Sequence, residues 1–277
     1  MNWKKELAEQ SSEDWLLGGT GLACIAEIPE EERELYLPKG ELQNIGEEKM
    51  DCASRAPLNV LETKFNWLIK NKKLSFENEF WLKTNDYINN GVEFSDAFVA
   101  INSGTTRQGN SLKAPLEAIR KQGLIPKNKL PQLKTWAEHH DPARITEDIK
   151  KLGLEFISRF FINYERGHEK NFNNILKNDI IIVGGYAWPP PISGEYPAVN
   201  YDPNHAFIVY KRPKYYVFDN YLDENKEGDF IKKLAPDYNF FDTGYRILIN
   251  NETVIPKKKL FNKIKSWLGN YFNEILR

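Results

Sequence analysis

The character of the chain changes once, near Asn178, and that change narrows the folds open to it. Ahead of it, apolar residues recur at helical spacing. Leu58, Leu61, Phe65, Leu68 and Ile69 predict a long amphipathic helix from Ala53 to about Lys70, beginning just after Cys52. Further helices are predicted at Glu93 to Ile101, at Leu112 to Gln122, closed by Gly123 and Pro126, and at Ile145 to Tyr164. Beyond Asn178 the runs DIIIVGGYAW, NHAFIVYK, YYVFDNY and GYRILIN are short, β-branched and aromatic, and Pro, Gly, Asn and Asp separate them. Helices followed by antiparallel strands make an α+β chain, with a cleft expected between a helical lobe at about 51–177 and a strand lobe at about 178–250.

Two flanking segments stand apart. Residues 1–50 carry 12 acidic against five basic side chains, and their turn signals at Gly18-Gly19, Pro29, Pro38-Lys39-Gly40 and Gly46 read as a loop-rich lead-in wrapping the body. In 251–277, Leu260, Phe261, Ile264, Trp267, Leu268, Tyr271, Phe272, Ile275 and Leu276 form one apolar face of a basic C-terminal helix. That helix, over residues 257–277, is expected to dock on its own domain, with a partner or a membrane surface as the alternative.

Charge and cysteine content exclude several classes. A net charge of -1 over 277 residues offers no field for a phosphate backbone, so nucleic acid is not an expected partner. No stretch reaches the roughly 18 apolar residues of a membrane span. Acidic residues follow the N-terminal lysines where a signal peptide needs an apolar run, and two cysteines are too few for a disulfide scaffold. The expected location is the cytoplasm of a bacterium or of an infected host, or a virion.

Cys52 is the sharpest candidate for chemistry. A thiol at a helix N-terminus faces unpaired N–H groups and the positive end of the dipole, which favour thiolate. Glu47, Glu48 and Asp51 oppose that effect, so Cys52 needs a cationic partner. Cys24 reads as a buried apolar cysteine. His139, His140 and His168 lie in polar settings typical of solvated surface, and no metal site is expected. His205 opens a strand directly after the turn signal Asp202-Pro203-Asn204, where its ring can reach across a cleft. The strand turns through Lys211 to Lys214 and returns with Asp219 and Asn220 beside His205. A turn of three or five residues puts Asp219 on the face of His205, and one of two or four residues puts Asn220 there.

The ordered set resembles the papain-like cysteine peptidases over roughly residues 40–250. Cys52 in DCASRAPLNVL resembles the nucleophile opening their central helix. His205 in NHAFIVY resembles their Asn-His-Ala-Val run, and Asp219 in DNY their Asn-Ser-Trp run. QGNSLKAPLEAIRKQGLIP resembles their glycine-containing substrate strand and following helix, and GYRILIN their late Gly-Tyr strand. The resemblance implies a papain-like two-lobe α+β fold, with the extra C-terminal helix appended. It implies a Cys52–His205–Asp219 triad with Asn220 as the alternative third member, and substrate contacts at Gly109, Asn110 and Asn204. Pro213 suits an odd-length turn centred near Arg212, which again selects Asp219. Gly46 stands where the family carries its oxyanion Gln, so that role is expected to fall to Gln43, three residues earlier. No cofactor is implied, and the substrate is a polypeptide. With 51 residues ahead of Cys52, the type expected is a bacterial or bacteriophage endopeptidase without a long prosegment. The alternatives are an inactive or weakly active docking module and a thiol acyl transferase or amidase.

Overall fold

In a computed structural model that describes residues 26–223 and 229–250, the expected central helix runs over Cys52–Lys70 (α1). It is buried nearly all round, because the sheet covers one side and other helices the opposite side. Phe65 carries much of that packing, its ring lying 5.0 to 5.7 Å from those of Phe94, Phe156 and Phe160. The remaining helices are Phe76–Thr84 (α2), Asp96–Asn102 (α3), Lys113–Gln122 (α4), Trp136–His139 (α5), Glu147–Arg159 (α6) and Phe172–Asn178 (α7). Polar caps fix several starts: the Ser75 and Ser95 hydroxyls accept the N–H of Asn78 and Phe98 at the heads of α2 and α3. Gly123, at φ +75°, ends α4 where a side chain would run into the backbone of Gly153.

Six strands follow: Phe161–His168 (β1), Ile181–Gly185 (β2), His205–Lys211 (β3), Tyr215–Phe218 (β4), Ile231–Leu234 (β5) and Phe240–Asn250 (β6). They form one antiparallel sheet in the order β1-β6-β2-β3-β4-β5. Alternation along the strands serves two cores. Ile182, Ala206, Ile208 and Tyr245 join the cluster around α1, while Ile181, Val183, Phe207, Val209 and Val217 pack with Phe172, Ile175 and Leu176 of α7.

One expected helix is cut short. The pattern over Ile145 to Tyr164 ends as helix at Arg159, and Phe161 begins an edge strand of the sheet. Phe156 and Phe160 prolong the helical spacing, but Phe161 to His168 finds its partner far along the chain in β6, a pairing that local periodicity does not register. The sheet therefore starts ahead of residue 178.

Within the lead-in, residues 26–50 cross α1 and the sheet. Arg33 is fully buried, donating to the carbonyls of Ile28, Leu176 and Tyr210 at 3.0, 2.7 and 3.0 Å. Cys24 and the basic segment 257–277 lie outside the described residues. Among the described residues, no helix is long and apolar enough to cross a membrane.

Candidate active site

The site begins at the head of α1. Cys52 is its first residue, 5% exposed, and Asp51 caps it through a carbonyl that accepts the N–H of Ser54 at 2.8 Å and of Arg55 at 3.0 Å. The N–H groups of the first turn have no earlier helical carbonyl to bind and project their positive end toward the thiol.

The acidic neighbours that the sequence sets against a thiolate are each engaged. Asp51 Oδ1 accepts from Arg55 Nε at 2.8 Å, and Oδ2 lies 3.2 Å from His139 Nε2. Burial pushes its carboxyl up, yet Arg55 and His139 outweigh burial and hold it well below the usual carboxylate range. Glu47 accepts the backbone N–H of Trp136 at 2.8 Å. Glu48 takes three donors: Gln43 Nε2 at 2.5 Å, the Met50 N–H at 3.1 Å and the Tyr221 hydroxyl at 2.5 Å.

This environment corrects the expectation that His139 and His140 sit on solvated surface. His139 is fully buried against Asp51, and His140 is buried with its ring stacked on Trp136 at 4.3 Å. The cause is the Asp51–Arg55–Asp96 charge cluster, whose residues lie far from the two histidines in the sequence and leave no local sign beside them. His168 is exposed, as expected. Among the described residues, Asp51, Asp96 and His139 are the one grouping of metal-ligating atoms, mutually within 4.8 Å. The Arg55 guanidinium pairs with both carboxylates and supplies the positive charge of that cluster.

His205 heads β3 and is fully buried. Its Nε2 lies 2.6 Å from Asp219 Oδ1, and Cys52 is near enough for its charge to bear on the ring. Burial alone would pull the imidazole down, but the charges of Asp219 and Cys52 push it up to about 10. Burial likewise pushes the Asp219 carboxyl up, and His205 and Lys232 reverse that, lowering it to about 2. Trp188 Nε1 donates to Asp219 Oδ2 at 2.7 Å, and Lys232 Nζ stands 3.3 Å from the same oxygen. The Tyr221 ring meets that of His205 edge to face at 5.2 Å.

Asp219 reaches His205 by a route that differs from the expected odd turn. Lys211 pairs with Tyr216, which leaves the four residues 212–215 between them, and an even connection alone would present Asn220. A bulge between Val209 and Lys211 shifts the register by one, so that Val209 faces Val217 and Asp219 falls on the face of His205. Asn220 points the other way, accepting from Asn59 Nδ2 of α1 at 3.0 Å and donating to the Glu41 carbonyl at 3.1 Å.

The residues expected around the substrate are placed unequally. Gln43 is buried within the lead-in, with Nε2 on Glu48 and Oε1 without a hydrogen-bond partner. Gly109 does not present the open backbone expected of it: its N–H donates to the Thr106 carbonyl at 2.9 Å, and its own carbonyl accepts from Thr106 N and Oγ1 at 3.3 and 3.1 Å. Asn110 is buried and donates to the Ser103 carbonyl at 3.1 Å and to Ser103 and Thr105 hydroxyls at 3.0 and 3.2 Å, so it braces this loop. Asn204, next to His205, accepts the Ala187 N–H at 2.9 Å and fixes the segment that carries Trp188.

Trp188 and Lys232 stand at the site although no sequence pattern marks them, and Glu48 enters it through hydrogen bonds as well as charge. Trp188 follows β2 in an aromatic and proline-rich run, and Lys232 lies in a strand with no alternation to mark it; only the fold brings them to Asp219. Beside them Leu42, Asn44, Ala187, Trp188, Tyr196, Tyr221 and Leu222 line a cleft of about 480 Å³.

No family model matches the sequence, and no curated protein matches it significantly. Solved structures do match, 38 chains in all. One is xylellain, a cysteine protease from Xylella fastidiosa, which shares 15% identity at a TM-score of 0.55, covering 90% of this chain and 95% of that one. At that identity the likeness shows the fold: α+β, with the helices and antiparallel sheet of a papain-like cysteine protease.

Proposed function

We propose that this chain is a cysteine peptidase of bacterial or bacteriophage type, its catalytic unit spanning residues 51–250 and its substrate a polypeptide met in the cytoplasm. The observation that carries the reading is the position of His205, buried at the head of β3 with Nε2 2.6 Å from Asp219 and its imidazolium favoured by the charges of Asp219 and Cys52.

The chemistry follows from that order. The Cys52 thiolate attacks the peptide carbonyl, and the carbon–oxygen electron pair moves onto oxygen. The Cys52 N–H at the head of α1 receives that oxyanion, together with the Gln43 amide hydrogen that Glu48 does not engage. The imidazolium of His205 then protonates the leaving amine, and the carbon–nitrogen bond breaks to give a thioester. A water molecule, deprotonated by the now neutral His205, attacks the thioester and releases the acid, returning the proton to the Cys52–His205 pair. Asp219 keeps the ring oriented and favours its charged form.

A thiol-directed epoxide should modify Cys52, identified by mass spectrometry, and Cys52→Ala or His205→Ala should each abolish cleavage of a denatured protein substrate. Cleavage that survives Cys52→Ala overturns the reading. Labelling of Cys52 without peptide turnover points instead to acyl transfer or amide hydrolysis, and absence of both points to a docking module.

A further inference from the structure

The loop ahead of Cys52 is shaped by two adjacent and opposite charges. Lys49, fully buried, donates to the carbonyls of Ile45 and Lys134 at 2.8 Å and to that of Glu47. Glu48, its neighbour, does the converse and gathers donors from Gln43 of the lead-in, Met50 of the nucleophile loop and Tyr221 of the strand lobe. Met50 is a non-glycine residue at φ +56°, a left-handed conformation that its N–H bond to Glu48 helps to hold. Tyr221 is the aromatic residue against His205, with ring centroids 5.2 Å apart. Its hydroxyl proton is secure, since burial and then the Glu48 carboxylate hold the phenol well above its ordinary range.

We propose that Glu48 is a positioning residue of this site: through Tyr221 and the Met50 backbone it fixes His205 and Cys52 relative to one another. The inference rests on the thiol–imidazole reading above. It goes beyond the triad in assigning a task to a carboxylate that, taken only as a charge near the thiol, works against the thiolate. The two roles predict opposite signs. If Glu48 acts only by its charge, removing it favours the thiolate and speeds alkylation of Cys52. If it acts by position, removing it frees the Tyr221 ring, loosens His205 and slows alkylation.

The test is the rate at which iodoacetamide alkylates Cys52 in the full-length protein at neutral pH, followed by mass spectrometry of the Cys52 peptide. Hydrogen bonds to a charged group contribute about 1.5–3 kcal/mol, so Glu48→Ala should slow alkylation by about tenfold or more. Tyr221→Phe, which keeps the ring and loses only the hydroxyl, should slow it several-fold. The double variant should be no slower than Glu48→Ala, because both changes break the same bond. Glu48→Gln, which removes the charge and keeps an acceptor for Tyr221, should stay nearer the unsubstituted rate. Unchanged or faster alkylation in Glu48→Ala and Tyr221→Phe overturns the proposal, as does equal slowing in Glu48→Gln and Glu48→Ala. Tyr221→Phe decides alone if Glu48→Ala does not fold. None of these readouts requires peptide turnover, so failure of the peptidase reading shows separately in the cleavage assay.

Discussion

The indole N–H of Trp188 donates to Asp219 Oδ2 at 2.7 Å, on the carboxylate oxygen that His205 does not use. Two neutral or cationic donors thus flank one buried acid, and the indole is packed in turn against Phe207 and Tyr196 at 4.9 and 5.3 Å. Trp188→Phe keeps most of that packing and deletes the bond. It should lower kcat by about tenfold, in line with the loss of one hydrogen bond to a charged acceptor, with KM little changed. Steady-state kinetics on a peptide substrate measure it.

Asp219→Asn keeps a hydrogen-bonding oxygen and removes the charge. Burial then acts on His205 with its main opposing charge gone, so the imidazolium is lost at lower pH. The alkaline limb of Cys52 alkylation should move down in pH. Stability follows the same sign. With His205 raised from 6.5 to about 10, its contribution is complete below pH 6.5 and disappears as pH rises through 10. Thermal melts of the unsubstituted protein should decline across that window, and those of Asp219→Asn should decline less.

Glu62, on α1, has linkage of the same sign in a lower pH window, from a different cause. Burial pushes its carboxyl from 4.5 up to about 8, against the pull of a backbone bond from Phe94. An acid with a raised pKa is held protonated in the fold, so it costs stability progressively as pH rises from 4.5 through 8. Glu62→Gln retains an acceptor for the Phe94 N–H. It should raise Tm at pH 8 and leave it nearly unchanged at pH 4.

His139→Ala should act on folding and spare the chemistry. It leaves the buried Asp51 carboxylate with one partner fewer and should destabilise by about 1–3 kcal/mol in urea denaturation. Cys52 in the folded fraction should still be alkylated. Loss of labelling in folded His139→Ala would show that Asp51 matters to the thiol itself.

The placements of Cys52 at a helix start, His205 at a strand start and Asp219 on the far arm of a hairpin are legible in the sequence, because each sits where local pattern changes. The α+β order was legible for the same reason, since periodicity reports burial on one face. What escaped is what depends on distant partners. β1 looks helical until β6 is beside it, and α2 has Phe76 and Phe80 exposed, so no apolar stripe announces it. His139 looks solvated because Asp51 and Arg55, which bury it, lie in another segment. Trp188 and Lys232 join Asp219 only through the sheet, and the sequence shows Glu48 as a charge but not the three hydrogen bonds it accepts.

The bulge in the β3–β4 hairpin makes the chemistry of the third residue a matter of chain length. Without it, Lys211 opposite Tyr216 would carry the pairing straight on, Asn220 would turn toward His205, and Asp219 would turn toward Asn59. One inserted or deleted residue in a surface turn can therefore exchange an acid for an amide beside the imidazole with no substitution in the site. Relatives of this protein that differ by such an event would carry the two types of triad on adjacent positions. Aligning them by strand register, counted back from the turn, would match residues of equal role, whereas aligning them letter by letter would pair an orienting acid with a side chain that braces the central helix.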